Sequence, residues 1–258
     1  MPDAGLLTRV RNRILRETGY RYHRRLVRLE FEQPVVSFTF DDFPRTALYE
    51  GGAILKRHGA AGTYYACAGL MGKMDAAGEM FTRRDLEYLI AQGHELGCHT
   101  YGHHDAMLTM PATFERSIIA NRAALSALCP QTPIRAFSYP KAEPHAGVKR
   151  VAARHAACCR AGGQTLNSGI ADLNCLKSFF LEQSRHDPAA IRQAIEMNRD
   201  AKGWLIFSTH DVSENPSPYG CTPGFFEMVV NYAAQSARII TVGKVCEMLS
   251  AAARAGKS

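Results

Sequence analysis

Short apolar segments alternate with helix-like segments along this chain from about residue 34 onward. The apolar segments are rich in β-branched and aromatic residues, as buried strands are. They lie at 34–42, 62–68, 95–100, 135–140, 157–161, 203–210 and 238–242. Strands that alternate with helices predict a mostly parallel sheet with helices outside it. A single α/β domain is therefore the expected fold.

Local signals predict where several helices begin. Thr82 precedes a segment with helical spacing and is a good N-cap residue. Pro188 suits a first helical turn, so a helix is expected after Asp187. A longer helix is expected over 113–128, capped by Thr113, with an inner face formed by Ile118, Ile119, Leu125 and Leu128.

Several predicted strands end in ionisable residues. Asp41 and Asp42 close the first strand, His99 lies near the end of the third, and His210 ends the strand at 203–210. The carboxyl ends of parallel strands meet at one edge, where α/β folds place functional groups. A charge at the end of an apolar strand is costly unless it is paired or used. A functional site is therefore expected at this edge.

Two of these residues and a third have the chemistry of metal ligands. His99 and His103 are four residues apart, which places both imidazoles on one side of a helical turn or tight loop. Imidazole is a common zinc ligand, and Asp42 can add a carboxylate oxygen. Two histidines and one carboxylate leave positions open for water and substrate, as a catalytic metal requires. Histidine pairs at this spacing also arise by chance, so the pair alone is weak evidence.

Cysteine usage and targeting signals point to a compartment. The chain has 8 cysteines without a C-x-x-C pair, and several lie inside apolar segments. Buried free thiols in a reducing compartment are therefore expected. No stretch of about 20 apolar residues is present, and the N-terminus lacks the apolar core of a secretory signal. The expected location is the cytoplasm, or the inner face of its membrane.

The first 33 residues form a basic segment. The formal net charge of the chain is +7, and residues 1–30 hold eight arginines against three acidic residues. Leu6, Val10 and Ile14 recur at a helical spacing between these arginines, which predicts an amphipathic helix. Such a helix either caps the domain or contacts an anionic membrane or a phosphate-bearing substrate. Binding to nucleic acid is not expected, because no nucleic-acid motif accompanies the charge.

Four motifs occur in one order along the chain: TFDD at 39–42, HTYGH at 99–103, FSYP at 137–140 and LIFSTH at 205–210. Together they resemble the polysaccharide deacetylases of the NodB-homology type, also called carbohydrate esterase family four. The resemblance runs from about residue 35 to 245. It implies a distorted (β/α) barrel of about seven parallel strands with outer helices. The expected domains are a basic helical segment at 1–33 and a catalytic domain at 34–258.

The resemblance also implies roles for individual residues. Asp41 would be the catalytic base and His210 the acid that protonates the leaving amine, and the metal ligands would be Asp42, His99 and His103. A backbone N–H near Tyr139 or Lys141 is expected to hold the oxyanion. Apolar side chains before His210, such as Phe207 or Ile206, are expected to line a slot for the acetyl methyl group.

The chain departs from the family pattern in the third motif. Ser138 stands where an arginine commonly orients the base, and Ala142 replaces a common glycine. Lys177 or Arg135 is expected to supply the missing cation. The family's acidic fourth motif is absent, so Asp211 or Asp172 is expected to orient His210.

These observations predict a metal-dependent hydrolase that removes an N-acetyl group from an acetamido sugar. Zinc suits the ligand set, and cobalt, nickel, manganese or iron can also bind such ligands. The expected setting is O-antigen, lipopolysaccharide or other surface-glycan assembly, with a nucleotide-linked or lipid-diphosphate-linked substrate. Two other interpretations stay open: a deformylase or other amide hydrolase on the same scaffold, and a catalytically inactive carbohydrate-binding domain.

Overall fold

The computed structural model describes residues 4–255, and their centre is a curved sheet of parallel strands. The strands are, in chain order, β1 (Leu26–Arg28), β2 (Val35–Asp42), β3 (Thr63–Ala66), β4 (Met74–Asp75), β5 (Gly78–Glu79), β6 (Glu95–Cys98), β7 (Ala136–Ser138), β8 (Cys158–Arg160), β9 (Ile170–Asp172), β10 (Phe179–Phe180), β11 (Trp204–Thr209) and β12 (Arg238–Ile239).

Seven of these strands form a continuous parallel sheet in the spatial order β10, β11, β2, β3, β6, β7 and β8. The short β12 pairs in parallel with the start of β2. Two small antiparallel pairs, β4 with β5 and β1 with β9, lie outside this sheet. The main sheet is curled into a half-barrel with helices around it, which confirms the predicted distorted barrel of about seven strands.

The helices surround the sheet and follow its strands. They are α1 (Ala4–Arg21), α2 (Ala53–Arg57), α3 (Arg83–Ala91), α4 (Pro111–Leu128), α5 (Ala146–Ala152), α6 (Pro188–Asp200), α7 (Pro223–Ser236) and α8 (Val242–Ala255). A π-helical turn at Ala47–Gly52 leads into α2, and 3₁₀ turns occupy Ala68–Leu70 and Leu181–Ser184. Within residues 4–255, no helix is both long and apolar enough to span a bilayer.

The core lies on both sides of the sheet, because helices cover it. All eight residues of β2 are buried, as expected for a central strand of a parallel sheet. Phe38 of β2 stacks on Phe207 of β11 at 5.5 Å between ring centroids, and Phe226 of α7 meets Phe38 edge-on at 5.4 Å. This packing holds β2 and β11 in a fixed register, so the residues at their carboxyl ends are fixed as well.

Two of the three predicted helix starts are confirmed. Thr82 caps α3 in a full capping box with Asp85, and Asp187 caps α6 by accepting a hydrogen bond from the Ala190 N–H at 3.1 Å. The third is wrong, since α4 begins at Pro111 with Met110 as its N-cap. Proline at the first helical position extends this helix by half a turn.

The predicted inner face of α4 is wrong at Ile119, which is 50% exposed. The buried apolar positions of α4 are Phe114, Ile118 and Leu125, and they follow the 3.6-residue period with Asn121 between them. Ile119 is one residue away from Ile118 and so points about 100° around the helix, toward solvent.

Candidate metal centre and catalytic cleft

The strand ends meet at one edge of the sheet and surround a cavity of about 400 Å³. Asp41 and Asp42 end β2, His99 follows β6, and His210 follows β11. The cavity is lined by Asp41, Asp42, Asp75, Ala76, Ala77, His99, His103, Lys141, Ala142, Phe180, Glu182, Gln183, His210 and Tyr219. The structure therefore brings together every residue that the motifs placed at the metal and acid–base positions.

Asp42, His99 and His103 form a group that could hold a metal ion, with all ligand atoms within 4.8 Å of one another. Asp42 Oδ1 lies 3.7 Å from His99 Nε2 and 3.3 Å from His103 Nε2. Asp42 Oδ1 is buried and has no hydrogen-bond partner in the described part of the chain. A buried carboxylate oxygen without a partner is unfavourable, and a divalent cation would satisfy it. The donor set therefore fits a metal.

His99 is oriented for ligation by its other ring nitrogen. His99 Nδ1 lies 2.9 Å from the Ser138 carbonyl oxygen, which can only accept a hydrogen bond. Nδ1 therefore carries the proton, and the lone pair of Nε2 is directed toward Asp42. Carbonyl contacts of this kind orient metal-bound histidines in proteins generally.

Burial keeps both histidines neutral, as metal ligation requires. It lowers the pKa of His99 to about 3 and also lowers the pKa of His103. Burial raises the pKa of Asp42 to about 6, and the nearby Asp41 carboxylate adds to this effect. A bound cation would oppose that rise, because it favours the ionised form of Asp42.

Asp41 is held ionised by an arginine that the sequence reasoning missed. Burial alone would raise the pKa of Asp41, but the Arg160 guanidinium, together with the nearby His99 and His210, outweighs this effect and lowers the pKa to about 2. Arg160 Nη2 donates to Asp41 Oδ1 at 2.6 Å and also contacts Oδ2. The same guanidinium donates to Ser138 Oγ, and its Nη1 donates to Ser178 Oγ and Ser208 Oγ, both at 3.0 Å.

The strand register explains how this arginine reaches Asp41. Ser138 of β7 and Arg160 of β8 are direct register partners. The third motif has a serine at 138, and the neighbouring strand supplies a guanidinium beside it. Arg160 is the last residue of β8 and lies near the end of the predicted strand at 157–161, so the argument that singled out Asp41 and Asp42 applied equally to it.

The two cations expected at Asp41 lie elsewhere. Lys177 Nζ is 3.4 Å from the centre of the Tyr20 ring. Arg135 Nη1 lies 3.1 Å from Glu247 Oε1 on the surface. Neither expectation is correct, because both side chains contact partners outside the cavity, whereas Arg160 pairs with Asp41.

Backbone strain is concentrated in this cleft. Nine non-glycine residues have positive φ in the described chain, and six of them are Asp42, Phe43, Thr100, His103, Lys141 and Ala142. Positive φ is unfavourable for residues with a Cβ, and such residues cluster at functional sites. Ala142, at a position where the family commonly has glycine, has φ 67°.

His210 lines the same cavity as the candidate metal ligands. Its Nε2 is 4.0 Å from Asp42 Oδ2, and its Nδ1 is buried without a hydrogen-bond partner among the described residues. The expectation that Asp211 or Asp172 orients this ring is wrong. Asp211 Oδ2 accepts from the Ser217 N–H at 2.8 Å, and Asp172 Oδ2 lies 2.6 Å from Lys149 Nζ.

The residues expected at the oxyanion and acetyl positions divide into two groups. Lys141 lines the cavity, whereas Tyr139 and Phe207 are buried in the core and do not reach it. The Tyr139 N–H already donates to the Arg160 carbonyl at 3.0 Å, and its hydroxyl donates to the Asn174 carbonyl at 3.0 Å. Of the backbone N–H groups of Tyr139 and Lys141, only that of Lys141 is left to donate to a ligand.

Part of the cavity wall was not predicted at all. Phe180, Glu182 and Gln183 come from the end of β10 and the following turn, and Tyr219 comes from the loop after β11. Burial raises the pKa of Glu182 to about 7. No local sequence signal marks these residues, because only the order of strands in the sheet brings β10 beside β11.

Comparison with solved structures supports the fold. A family 4 acetyl xylan esterase from Clostridium thermocellum, in complex with a cobalt ion, has 18% identity and a TM-score of 0.57, covering 83% of this chain and 91% of that one. The peptidoglycan deacetylase PdaC from Bacillus subtilis has 12% identity and a TM-score of 0.56, covering 89% and 97%. A CE4 family pseudoenzyme from Bacillus anthracis has 13% identity and a TM-score of 0.56, covering 85% and 68%.

The sequence comparisons agree with this fold. No curated protein matches the chain in sequence. The family model described as polysaccharide deacetylase matches residues 28–157, which is half of the chain. That matched region holds Asp41, Asp42, His99 and His103. The protein therefore belongs to the polysaccharide deacetylase family.

Proposed function

We propose that this protein is a metal-dependent N-deacetylase that hydrolyses the acetamido group of a sugar in a bacterial glycan or glycan precursor. The observation that carries the proposal is the pairing of two sites in one cleft. Arg160 keeps Asp41 ionised, and the adjacent Asp42 completes a triad of ligand residues with His99 and His103. A carboxylate base beside a cation site is the arrangement that hydrolysis of an amide needs.

The roles of the residues follow from their positions. A divalent ion bound by Asp42, His99 and His103 would supply Lewis acidity toward the acetyl carbonyl and an attacking water. Asp41 takes the proton of the attacking water. The Lys141 N–H donates to the developing oxyanion. His210 Nε2, which lies 4.0 Å from Asp42 Oδ2, donates a proton to the leaving nitrogen.

The substrate and its setting are part of the same proposal. Zinc is the favoured ion, with cobalt, nickel, manganese and iron as alternatives. We propose a nucleotide-linked or lipid-diphosphate-linked acetamido sugar of O-antigen or lipopolysaccharide assembly, deacetylated on the cytoplasmic side. All eight cysteines are buried and free, which is typical of a reducing compartment.

Metal content of the purified protein is the first test. We expect about one divalent ion per chain in the wild type and none in His99→Ala/His103→Ala, measured by mass spectrometry after dialysis against zinc. The control is His23→Ala/His186→Ala, which removes two exposed histidines and should leave the metal content unchanged. A wild-type protein without metal, or a triad variant that keeps it, would contradict the metal site.

Acetate release then tests the reaction. The substrates are N-acetylglucosamine oligomers and UDP-N-acetylglucosamine, and Asp41→Asn should lower the rate by about 10²-fold to 10⁴-fold while the metal stays bound. Formate release from N-formyl sugars without acetate release would favour the deformylase. Sugar binding without turnover, unchanged in Asp41→Asn, would favour the inactive binding domain.

A further inference from the structure

One side of α1 is turned away from the rest of the protein and carries an unusual combination of residues. Val10 and Ile14 are 49% and 57% exposed, and they lie about 40° apart around the helix. Arg9, Arg11 and Arg13 flank them and are exposed as well. We call these five residues the outward face of α1. No carboxylate pairs with its three arginines in the described part of the chain.

The opposite side of α1 packs against the domain. The exposed apolar residues of the outward face therefore do not belong to the hydrophobic core. Gly19 packs closely on the segment before α5, so that a Cβ at this position would lie 1.9 Å from the Pro144 carbonyl oxygen. The Gly19 carbonyl accepts a hydrogen bond from the buried Lys149 Nζ at 2.8 Å. Arg16 Nε lies 2.7 Å from Glu143 Oε2. The helix is therefore held in one orientation.

These contacts join the C-terminal half of α1 to the segment that follows part of the cavity lining. Glu143 and Pro144, which touch α1, directly follow Lys141 and Ala142, which line the cavity. A ligand of the outward face of α1 would therefore bind a helix that packs directly on this segment.

We propose that the outward face of α1 is a binding surface for an anionic phospholipid membrane. Exposed aliphatic side chains flanked by arginines are typical of helices that lie in a membrane interface, where the apolar groups enter the headgroup region and the cations meet lipid phosphates. The phosphates of a nucleic acid would pair with the arginines, but a nucleic acid would leave Val10 and Ile14 exposed to water. A second copy of this chain would bring arginines against arginines.

The same combination of exposed residues recurs in the segment after α1. Tyr22 and Leu26 are 59% and 52% exposed, and the exposed Arg24 and Arg28 alternate with them along the chain. A membrane bound to α1 would hold the cleft near a lipid-carried glycan. That consequence rests on the proposed function, whereas the membrane contact itself does not.

Vesicle flotation tests the membrane contact without any catalytic step. The full-length protein is mixed with vesicles of 30% phosphatidylglycerol in phosphatidylcholine, or of phosphatidylcholine alone. The wild type is expected to float with the anionic vesicles only. Arg9→Glu/Arg11→Glu/Arg13→Glu should weaken this binding at least about 100-fold, since loss of each arginine alone costs about fivefold and each glutamate adds repulsion. Val10→Ser/Ile14→Ser should weaken it at least fivefold at every salt concentration.

The matched control is Arg84→Glu/Arg116→Glu/Arg199→Glu, which makes the same change in net charge at exposed arginines outside α1. It should lose less than threefold in affinity, and all variants should keep the wild-type Tm because the changed residues are exposed. The proposal is overturned if the wild type does not float, or if the control loses as much as the α1 variant. It is also overturned if Val10→Ser/Ile14→Ser abolishes a dimer in ultracentrifugation and leaves flotation unchanged.

Discussion

Asp41 remains charged in a buried position because the Arg160 guanidinium and the Ser138 hydroxyl donate to it, while Ser178 and Ser208 accept from the other side of the guanidinium. Removing either partner of a buried ion pair leaves an uncompensated charge, which typically costs about 3–5 kcal/mol. Arg160 also lies over the ring of Tyr65, with its Cζ 5.3 Å from the ring centroid. The guanidinium is therefore confined by packing as well as by hydrogen bonds, and it fixes the position of the Asp41 carboxylate.

The first residue-scale prediction concerns this pair. Arg160→Ser should lower the rate of acetate release by at least about 10²-fold and shift the acid limb of its pH profile upward, because an unpaired buried carboxylate has a higher pKa. Ser138→Arg/Arg160→Ser moves the guanidinium to the register partner and should recover at least tenfold of the loss.

The control for this exchange is Arg122→Ser, which removes a half-buried arginine that donates to the Ile134 carbonyl away from the cleft. It should leave the pH profile unchanged. If Arg160→Ser keeps both rate and profile, Arg160 does not position Asp41.

A second prediction concerns Glu182, whose pKa burial raises to about 7 from an ordinary value of 4.5. Between these values the folded protein binds a proton that the unfolded chain has released, so stability falls as pH rises through this window. Glu182→Gln removes this ionisable group, so its stability does not fall with pH for this reason. In metal-free protein it should raise the Tm at pH 8 by about 3–8 °C and leave it nearly unchanged at pH 4.

Glu214→Gln serves as the control, since Glu214 is exposed. Its Tm should follow that of the wild type at both pH values. A Glu182→Gln variant whose effect is equal at pH 4 and pH 8 would mean that Glu182 is not protonated in the folded state.

At the scale of elements, the N-terminal helix and the β1–β9 pair depend on one buried lysine. Lys149 of α5 is fully buried, and its Nζ reaches both the Gly19 carbonyl and Asp172 Oδ2. Asp172 in turn accepts the Arg25 N–H at 2.8 Å, at the start of β1. A single ammonium group therefore connects α1, α5, β1 and β9.

Lys149→Met should reduce the free energy of unfolding by about 3 kcal/mol, because it leaves the largely buried Asp172 carboxylate without its cation. Lys149→Met/Asp172→Asn should be more stable than the single variant, since the unpaired charge is gone. Urea denaturation measures both. Lys244→Met, at an exposed ion pair, should change stability by less than about 1 kcal/mol. Equal loss in the single and double variants would rule out the charge as the cause.

At the scale of the whole molecule, the core holds all eight cysteines as free, buried thiols. Burial raises the pKa of Cys67 and Cys159 and lowers their reactivity. Ellman's reagent should therefore modify fewer than one thiol per chain within minutes in the native protein and all eight in guanidinium. Rapid modification of several native thiols would show that the core opens readily.

Much of the architecture could be predicted because its signals are local. Alternation of apolar and helical segments predicted the parallel sheet, and a threonine and a proline marked the starts of α3 and α6. The start of α4 was missed because Pro111 and Thr113 are both acceptable near a helix N-terminus. Ile119 was misplaced because adjacent isoleucines give no local signal of which one faces the core.

The sequence by itself determined the parallel fold, the family and the residues of the candidate metal centre, since each depends on short motifs at strand ends. Only the tertiary structure decided which cation reaches Asp41, because Arg160 is 119 residues away and strand order and register alone bring it there. The same holds for Glu182, which strand order places in the cleft, and for Tyr139 and Phe207, which strand alternation turns into the core. A motif specifies what a residue can do, whereas the packing of distant strands specifies what it touches.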